Sequence, residues 1–435
     1  DLAVRLQTRS AKGAALKVNG RITRISGTVL HAHLTEGRIG EEVILRDPIT
    51  RDEMTAEVIG FSGEEAVLAP GGAISGLSNR TEVISTGRQP MGPSGPAIIG
   101  RVIDAFGRPL DGGGPITPDQ PLDRDPPAPL ARPIIDTPFV TGLRAIDGTL
   151  TLGTGQRVGL FGAAGVGKST LLSQIIRGAK CDAIVLGLIG ERGREVAEFL
   201  ERDLGAEGRK RAAVIVATSD RPATERLRAA MTATAAAEGF RAQGKNTLLL
   251  IDSATRIARA MREIGLSAGE PPVRRGFPPS TFARLPRLVE RAGRDANGSI
   301  TALYTVLVEG DDENADPVAD ELRSLLDGHI VLSRELAQAG HFPAIDVLRS
   351  KSRVMDAVTD KAQQTQARQV GGWLGKLKDI ELLVQVGEYQ AGGDPVADTA
   401  LAVRERLDGF LRQGADDFST FDATRAALAA LAGGA

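Results

Sequence analysis

The chain of 435 residues contains a single cysteine, Cys181. A lone cysteine excludes an intrachain disulfide framework and a zinc site built from several thiolates. Aromatic residues are scarce, at 3%, with one Trp and two Tyr. A base-stacking platform for single-stranded nucleic acid therefore has little to be built from. Neither sign of charge is in excess: 53 Lys and Arg against 55 Asp and Glu leave a formal net charge of −2. That excludes polycationic binding of nucleic acid by the whole chain. Long hydrophobic runs are missing too. Ala183–Ile189 and Thr247–Ile251 are strand-sized, far below the ~18 apolar residues of a membrane-spanning helix. Asp1–Ser10 lack the basic-then-apolar layout of a secretory signal, so the cytoplasm is the expected compartment. The first residue is not Met, which leaves the natural N-terminus open. His31 and His33 have no acidic or cysteine partner close in sequence and read as surface residues, not metal ligands. Cys181 reads as a packing residue.

The chain changes character along its length. The first ~85 residues form short strand-like runs separated by Gly and Pro, the pattern of a small β-barrel or sandwich. Arg88–Pro138 is rich in Pro and Gly. By composition it is a linker, but its length suits a segment wrapped over the next domain. From about Thr141, apolar strand-like runs (Arg157–Phe161, Ala183–Ile189, Ala213–Ala217, Thr247–Ile251, Ile300–Val308, His329–Leu332) alternate with helical ones (Lys168–Arg177, Glu195–Leu204, Ala223–Gln243). That alternation predicts a parallel sheet covered on both faces. After Asp360 only helical spacing remains, in Lys361–Gln369, Pro395–Arg412 and Phe421–Leu431.

Gly162-Ala163-Ala164-Gly165-Val166-Gly167-Lys168-Ser169 fits the phosphate-binding P-loop, between a strand-like and a helical segment. Gly162, Gly165 and Gly167 let the backbone curl, so that it and Ala164, Val166 and Thr170 turn N–H groups toward phosphate oxygens. The helix N-terminus adds partial positive charge. Lys168 would reach the β- and γ-phosphates of ATP, and the Ser169 hydroxyl would ligate Mg²⁺. Binding alone is not hydrolysis, which needs a second acid for the metal shell and a group that orients water. Thr247–Asp252 is an apolar strand ending in Asp, the Walker B layout, which places Asp252 beside the phosphates and the metal. Glu191 and Arg192 follow another strand; Glu191 is suited to polarise water and Arg192 to meet the γ-phosphate, although a solvated helix start accounts for the same charge cluster.

The run Thr141–Gly148, then Gly155–Arg157, the P-loop and Ile189–Glu195 resemble the hexameric ATPases related to the rotary ATP synthases, above all those of type III secretion systems, flagellar and injectisome. The likeness continues through Pro271–Ser280, Phe282–Gly293, Gly298–Asp312, Leu326–Arg334 and His341–Met355. It implies an α/β P-loop (RecA-like) ATPase core, residues 86–358. An N-terminal small β-barrel for oligomerisation (1–85) and a C-terminal helical domain for partner contact (359–435) would flank it. By the same resemblance Glu191 is the catalytic glutamate, followed by Arg192, and Asp252 is the Walker B acid. Arg353 is an arginine finger reaching the γ-phosphate of a neighbouring subunit. Phe342 packs on adenine, and Tyr389 is a second candidate for that pocket. The rigid loop Pro271–Pro279, with Arg274 and Arg275, would face the ring's central channel or simply the surface. Glu309–Asp312 would lie near the active site, as loop-fixing residues or in catalysis. Asp295–Asn297 form a surface turn whose pattern departs from some relatives.

The resemblance implies an Mg²⁺-dependent homo-hexamer that energises protein export by releasing chaperones and unfolding secreted substrates. Its partners would be a central stalk protein, a peripheral regulator or stator protein, export chaperones with their secreted proteins, and the export gate at the inner membrane, with which the cytoplasmic ring would associate. Gly276–Ser280, Ala344–Ser350 and Gly387–Gln390 look more like injectisome than flagellar members. A hexameric nucleic-acid motor of the terminator-helicase type shares the core but needs barrel aromatics for stacking; residues 1–85 contain only Phe61. A purely structural nucleotide-binding subunit would lack Glu191.

Overall fold

The computed structural model describes residues 19–34, 36–308 and 316–433; Glu309–Asp312 lie outside them. Gly20–Ser26, Val29–His33, Glu65–Pro70, Glu53–Ser62, Glu42–Arg46 and Glu82–Arg88 pair in that order and close into a barrel. Alternation fills it. Val43 and Leu45 point inward from Glu42–Arg46, joined by Ile22, Leu30, Ala32, Val58, Leu68 and Val83. Part of the barrel's outer face is also apolar: Val29 and Val67 pack on Ala223, Ala260 and Ile264 of the next unit. The turn at Gly27 (φ +57°) is fastened there, since Thr28 donates to the Ser267 hydroxyl from its N–H at 3.3 Å and from its Oγ1 at 3.1 Å. His31 is not a surface residue. It lies on the outside of the barrel but is buried between Arg24, at 3.1 Å, and Glu65, at 3.7 Å. Arg24 lies directly across the hairpin, whereas Glu65 comes from a strand remote in sequence.

The large sheet runs in the order Ile345–Ser352, Gly328–Leu332, Arg157–Gly162, Ser299–Leu307, Asn246–Asp252, Ala183–Ile189, Ala212–Ala217, Val102–Asp104. All neighbours in this order are parallel except Ile345–Ser352, which runs antiparallel to Gly328–Leu332. The central strands are buried on both faces, which explains their unbroken apolar sequences. In Ala183–Ile189, Ile184, Leu186 and Leu188 face the P-loop helix Lys168–Gly178, while Val185 and Ile189 face the alanine-rich helix Ala223–Ala242.

The proline-rich stretch is a wrap, not a free linker. Val102–Asp104 forms the sheet's last strand, Gln120–Pro121 pairs with Met91–Gly92, and Arg291 donates to the Leu122 carbonyl at 2.7 Å. The predicted helix Glu195–Leu204 is interrupted. Gly193–Glu198 passes into a wide turn at Phe199–Asp203, where the Leu204 N–H reaches the Phe199 carbonyl at 2.8 Å, before Gly205–Arg211 resumes.

The C-terminal helices Lys361–Gln385, Pro395–Leu411 and Phe421–Gly433 begin with strong signals where acids precede them. Asp360 caps the first and Asp394 caps the second, which has Pro at its first position. Their apolar residues Trp373, Val403, Leu407 and Leu428 belong to the same core cluster as the P-loop helix. Asp147, fully buried, braces this junction: its carboxylate accepts from the Thr141 N–H (2.9 Å) and hydroxyl (2.8 Å) and from the Gly142 N–H (2.8 Å). Asp147→Ala strands those donors. It should cost about 2–4 kcal/mol, read as a fall in Tm; an unchanged melting curve would show that the network carries no stability.

Candidate functional site

The P-loop leaves the C-terminal end of Arg157–Gly162, at the edge where open parallel sheets bind ligands. Gly165 (φ +81°) and Gly167 (φ +86°) take left-handed backbone that side chains resist. Gly167 also precedes the helix Lys168–Gly178, whose first turn has no side-chain cap and no acidic residue. Its first N–H groups are therefore left free of side-chain caps and suited to an anion. Ala164, Gly165, Ser169 and Thr170 are exposed along this loop, while Val166 is buried beneath it.

Three strand ends converge on Lys168. Its Nζ donates to Asp252 Oδ1 at 2.7 Å and lies 3.8 Å from Glu191 Oε1. Asp252 sits two strands from the P-loop. The strand between them supplies Thr305, whose hydroxyl donates to Asp252 Oδ1 at 2.6 Å. Glu191 Oε2 accepts from Arg256 at 3.0 Å, and Arg256 also donates to the Gly190 carbonyl. Gly190 has φ +74°, and a Cβ there would fall 2.7 Å from the Arg256 side chain, so only glycine lets this clasp close. Glu191 Oε1 is buried with no hydrogen-bond partner. Burial and the Asp252 charge push the Glu191 carboxyl above the ordinary carboxylate range, against the opposing pull of Lys168 and Arg256. Arg256 and Thr305 were not singled out from the sequence; their proximity to Glu191 and Asp252 in the strand-loop layout was the available signal.

The remaining candidates separate. Arg192 is exposed and pairs with Glu195 at 3.3 Å. The Phe342 ring lies against the P-loop, 3.3 Å from where a Cβ on Gly167 would be, and is 47% exposed. The C-terminal helices hold its loop through the Gln413 N–H, which donates to the Phe342 carbonyl at 3.0 Å. Tyr389 is instead in the turn between two C-terminal helices, where its hydroxyl donates to Asp398 at 2.8 Å. No hydrogen bond or ring contact among the described residues joins it to the P-loop. Arg353 is exposed and donates to the Arg323 carbonyl at 3.1 Å. It follows Ser352, which pairs with Gly328 at the start of a strand whose far end, Leu332, flanks Gly162. Four residues of strand put Arg353 ~13 Å below the P-loop edge. In the loop before Pro279, the Phe277 N–H bonds the Arg274 carbonyl at 3.0 Å, and Arg274 pairs with Asp320 at 2.7 Å. Asp295 makes the expected turn, accepting from the Asn297 and Gly298 N–H groups at 2.8 and 3.0 Å. Cys181 packs against the core, and burial raises its thiol to about 11, so it is an inert packing residue.

A sequence model described as the ATP synthase alpha/beta family, nucleotide-binding domain, matches residues 142–352. The beta-barrel domain of the same family matches residues 22–87. One described as the T3SS EscN ATPase C-terminal domain matches 359–430. A relative named type 3 secretion system ATPase, from Sinorhizobium fredii, is 56% identical over 94% of this chain and 90% of its own length. A flagellum-specific ATP synthase from Pseudomonas aeruginosa is 47% identical over 96% and 94%. The assembled ATPase EscN of the enteropathogenic E. coli type III secretion system superposes with a TM-score of 0.88 at 47% identity, covering 95% of this chain and all of that one. A structure of EscN with its central stalk EscO gives 0.86 at 46% identity, covering 95% and all of that chain.

Proposed function

This chain belongs to the type III secretion system ATPases of the ATP synthase alpha/beta family, and from that premise we propose that it hydrolyses ATP in a homo-hexameric ring to drive protein export, in an injectisome rather than a flagellum. The observation that carries the reading is the convergence of Lys168, Asp252 and Glu191 at one sheet edge while Arg353 sits at the other. Each copy has a phosphate cradle and a water-orienting acid but holds its arginine away from both. A neighbouring copy completes the site.

The P-loop N–H groups and Lys168 bind the phosphates, and Lys168 exchanges Asp252 for them. Ser169 and Asp252 offer a hydroxyl and a carboxylate, hard oxygen donors of the kind Mg²⁺ takes. Mg²⁺ held there would neutralise charge on the phosphate oxygens. Glu191 Oε1, buried and unpartnered, is placed to accept a hydrogen bond from the attacking water, and its raised affinity for protons suits a general base. Arg256 holds the other carboxylate oxygen and so sets the direction of the first. The water attacks the γ-phosphorus, the bond to the β-γ bridging oxygen breaks, and ADP and phosphate leave. Phe342 is the surface on which adenine packs; Arg192 and Thr170 complete the phosphate end, and Tyr389 is the more distant candidate.

A central stalk in the ring channel near Arg274 and Arg275 is proposed from EscN, whose structure has been solved with its stalk EscO. Chaperones with their secreted proteins, a peripheral regulator and the export gate at the inner membrane complete the assembly we propose, with the C-terminal helices as the contact region. No helix of the described residues is long and apolar enough to cross a membrane, so association with the inner membrane would run through those partners. The test is Mg²⁺-dependent ATP turnover measured against protein concentration. Turnover per chain should rise steeply as rings form and vanish on chelating the metal. Turnover per chain that is flat from dilute monomer to assembled ring would overturn the shared-site reading.

A further inference from the structure

Beneath the exposed Arg353 side chain lies a bonded cluster, at the sheet edge away from the P-loop. The Arg353 N–H donates to the Asp327 carbonyl at 2.9 Å, and its guanidinium donates to the Arg323 carbonyl at 3.1 Å. Both acceptors belong to one short stretch. Arg323 is in the last turn of the helix Pro317–Leu325, and Asp327 immediately precedes the strand Gly328–Leu332. The Asp327 carboxylate is engaged on its other side. It accepts from Arg157 Nε at 3.0 Å, from Nη2 at 3.1 Å and from the Arg157 N–H at 3.1 Å. The main chain repeats the tie, since the Asp327 N–H donates to the Arg157 carbonyl at 2.8 Å. Arg157 also pairs with Glu290 and begins the strand Arg157–Gly162 that ends at the P-loop. Gln156, fully buried, closes the cluster. Its Oε1 accepts from the Gly153 N–H at 2.9 Å, and its Nε2 donates to the Asp327 carbonyl at 2.9 Å and to Ser352 Oγ at 3.3 Å.

We infer that Asp327 is a positioning residue for Arg353, holding its backbone so that the guanidinium meets the nucleotide of the next copy. The inference rests on the role proposed above for Arg353 at a neighbouring site. A long arginine side chain is placed only as well as the backbone that carries it. Here that backbone hangs on the Asp327 carbonyl, and the Asp327 carboxylate keeps the carbonyl in place. A forked arginine–carboxylate pair fixes orientation as well as distance, and the two main-chain bonds to Arg157 allow it little play. Asp327 stands at the far end of Arg157–Gly162 from the P-loop, so losing its side chain leaves the phosphate cradle's own bonds in place. Nor does the loss strand a charge, because Arg157 keeps Glu290. An ordinary fold-stabilising ion pair would show the same distances; what separates the two roles is which copy's site suffers.

The test sorts full-length variants by the partner that restores them. Asp327→Ala should lower kcat by about 10²-fold, the effect of misplacing a group by ~1 Å, with KM and the affinity for a non-hydrolysed ATP analogue nearly unchanged. Co-assembled with Glu191→Gln it should regain activity, because some interfaces then join an intact glutamate to a well-held arginine. Co-assembled with Arg353→Ala it should stay low, because neither chain supplies such an arginine. Arg157→Lys keeps the charge but loses the fork. It should give the same pattern with a smaller loss, and it carries the test if Asp327→Ala does not fold. The reverse pattern, restoration by Arg353→Ala and not by Glu191→Gln, would mean that Asp327 serves its own P-loop, and would overturn the inference. So would a wild-type kcat, or restoration by neither partner in chains that bind the analogue normally. Mixing Glu191→Gln with Arg353→Ala is the control. If that pair stays inactive, the shared site itself falls, and this inference with it; if it is active, a wrong pattern counts against Asp327 alone.

Discussion

Glu191→Gln is expected to lower ATP turnover by about 10²–10⁴-fold while nucleotide still binds, the range set by losing a positioned general base. The amide keeps the side chain's size and can still accept from Arg256, whose partner is Oε2 at 3.0 Å. What it loses is the negative charge and basicity of the second oxygen, which is buried without a hydrogen-bond partner and ion-paired with Lys168 at 3.8 Å. Binding should survive because the P-loop backbone and Lys168 are untouched. The same carboxyl sets a pH dependence. Its proton affinity is raised, so activity should fail on acidification at a higher pH than an ordinary glutamate would set, and that limb should disappear in the variant's residual activity. The check is a pair of measurements, equilibrium binding of an ATP analogue and steady-state phosphate release. Wild-type turnover by the variant would remove Glu191 from the reaction.

The second large effect is Arg353→Ala, expected to cut turnover by about 10³-fold or more, as for other arginine fingers, with nucleotide affinity nearly unchanged. The reason is geometric: Arg353 is at the opposite edge of the sheet from its own P-loop. Only another copy's site lies within its reach. Mixing decides the point. Rings assembled from Glu191→Gln and Arg353→Ala chains contain some interfaces with an intact glutamate on one side and an intact arginine on the other. Activity should therefore reappear on mixing two inactive proteins. If Arg353 acted on its own P-loop, no mixed interface would be complete and no activity would return. Loss of nucleotide binding by Arg353→Ala alone would also defeat the finger role.

Legibility followed the range of the interaction. The P-loop, the strands around it and the C-terminal helices were readable because each depends on neighbours within a few residues, through left-handed glycines, apolar runs and caps such as Asp394 before Pro395. His31 was misplaced because its cover depends on strand pairing: Arg24 faces it across a hairpin and Glu65 comes from a strand remote in sequence. The proline-rich stretch looked like a linker because composition does not show that three of its residues will extend a sheet. Phe342 and Tyr389 were both candidates for one pocket. Contacts within the folded chain put the ring of Phe342 on Gly167 and tie Tyr389 to Asp398 instead.

The sequence by itself determined the chemistry on offer: a phosphate cradle, an acid at a strand end, a glutamate after another strand, and too few barrel aromatics for base stacking. Those are properties of residue type and short spacing, and they need no fold to be read. Tertiary structure alone decided which groups meet. Strand order carries Lys168 across Ser299–Leu307 to Asp252, with Thr305 between them. Antiparallel addition of Ile345–Ser352 sends Arg353 to the other edge. Both are consequences of non-local strand pairing, which a short stretch of sequence does not specify.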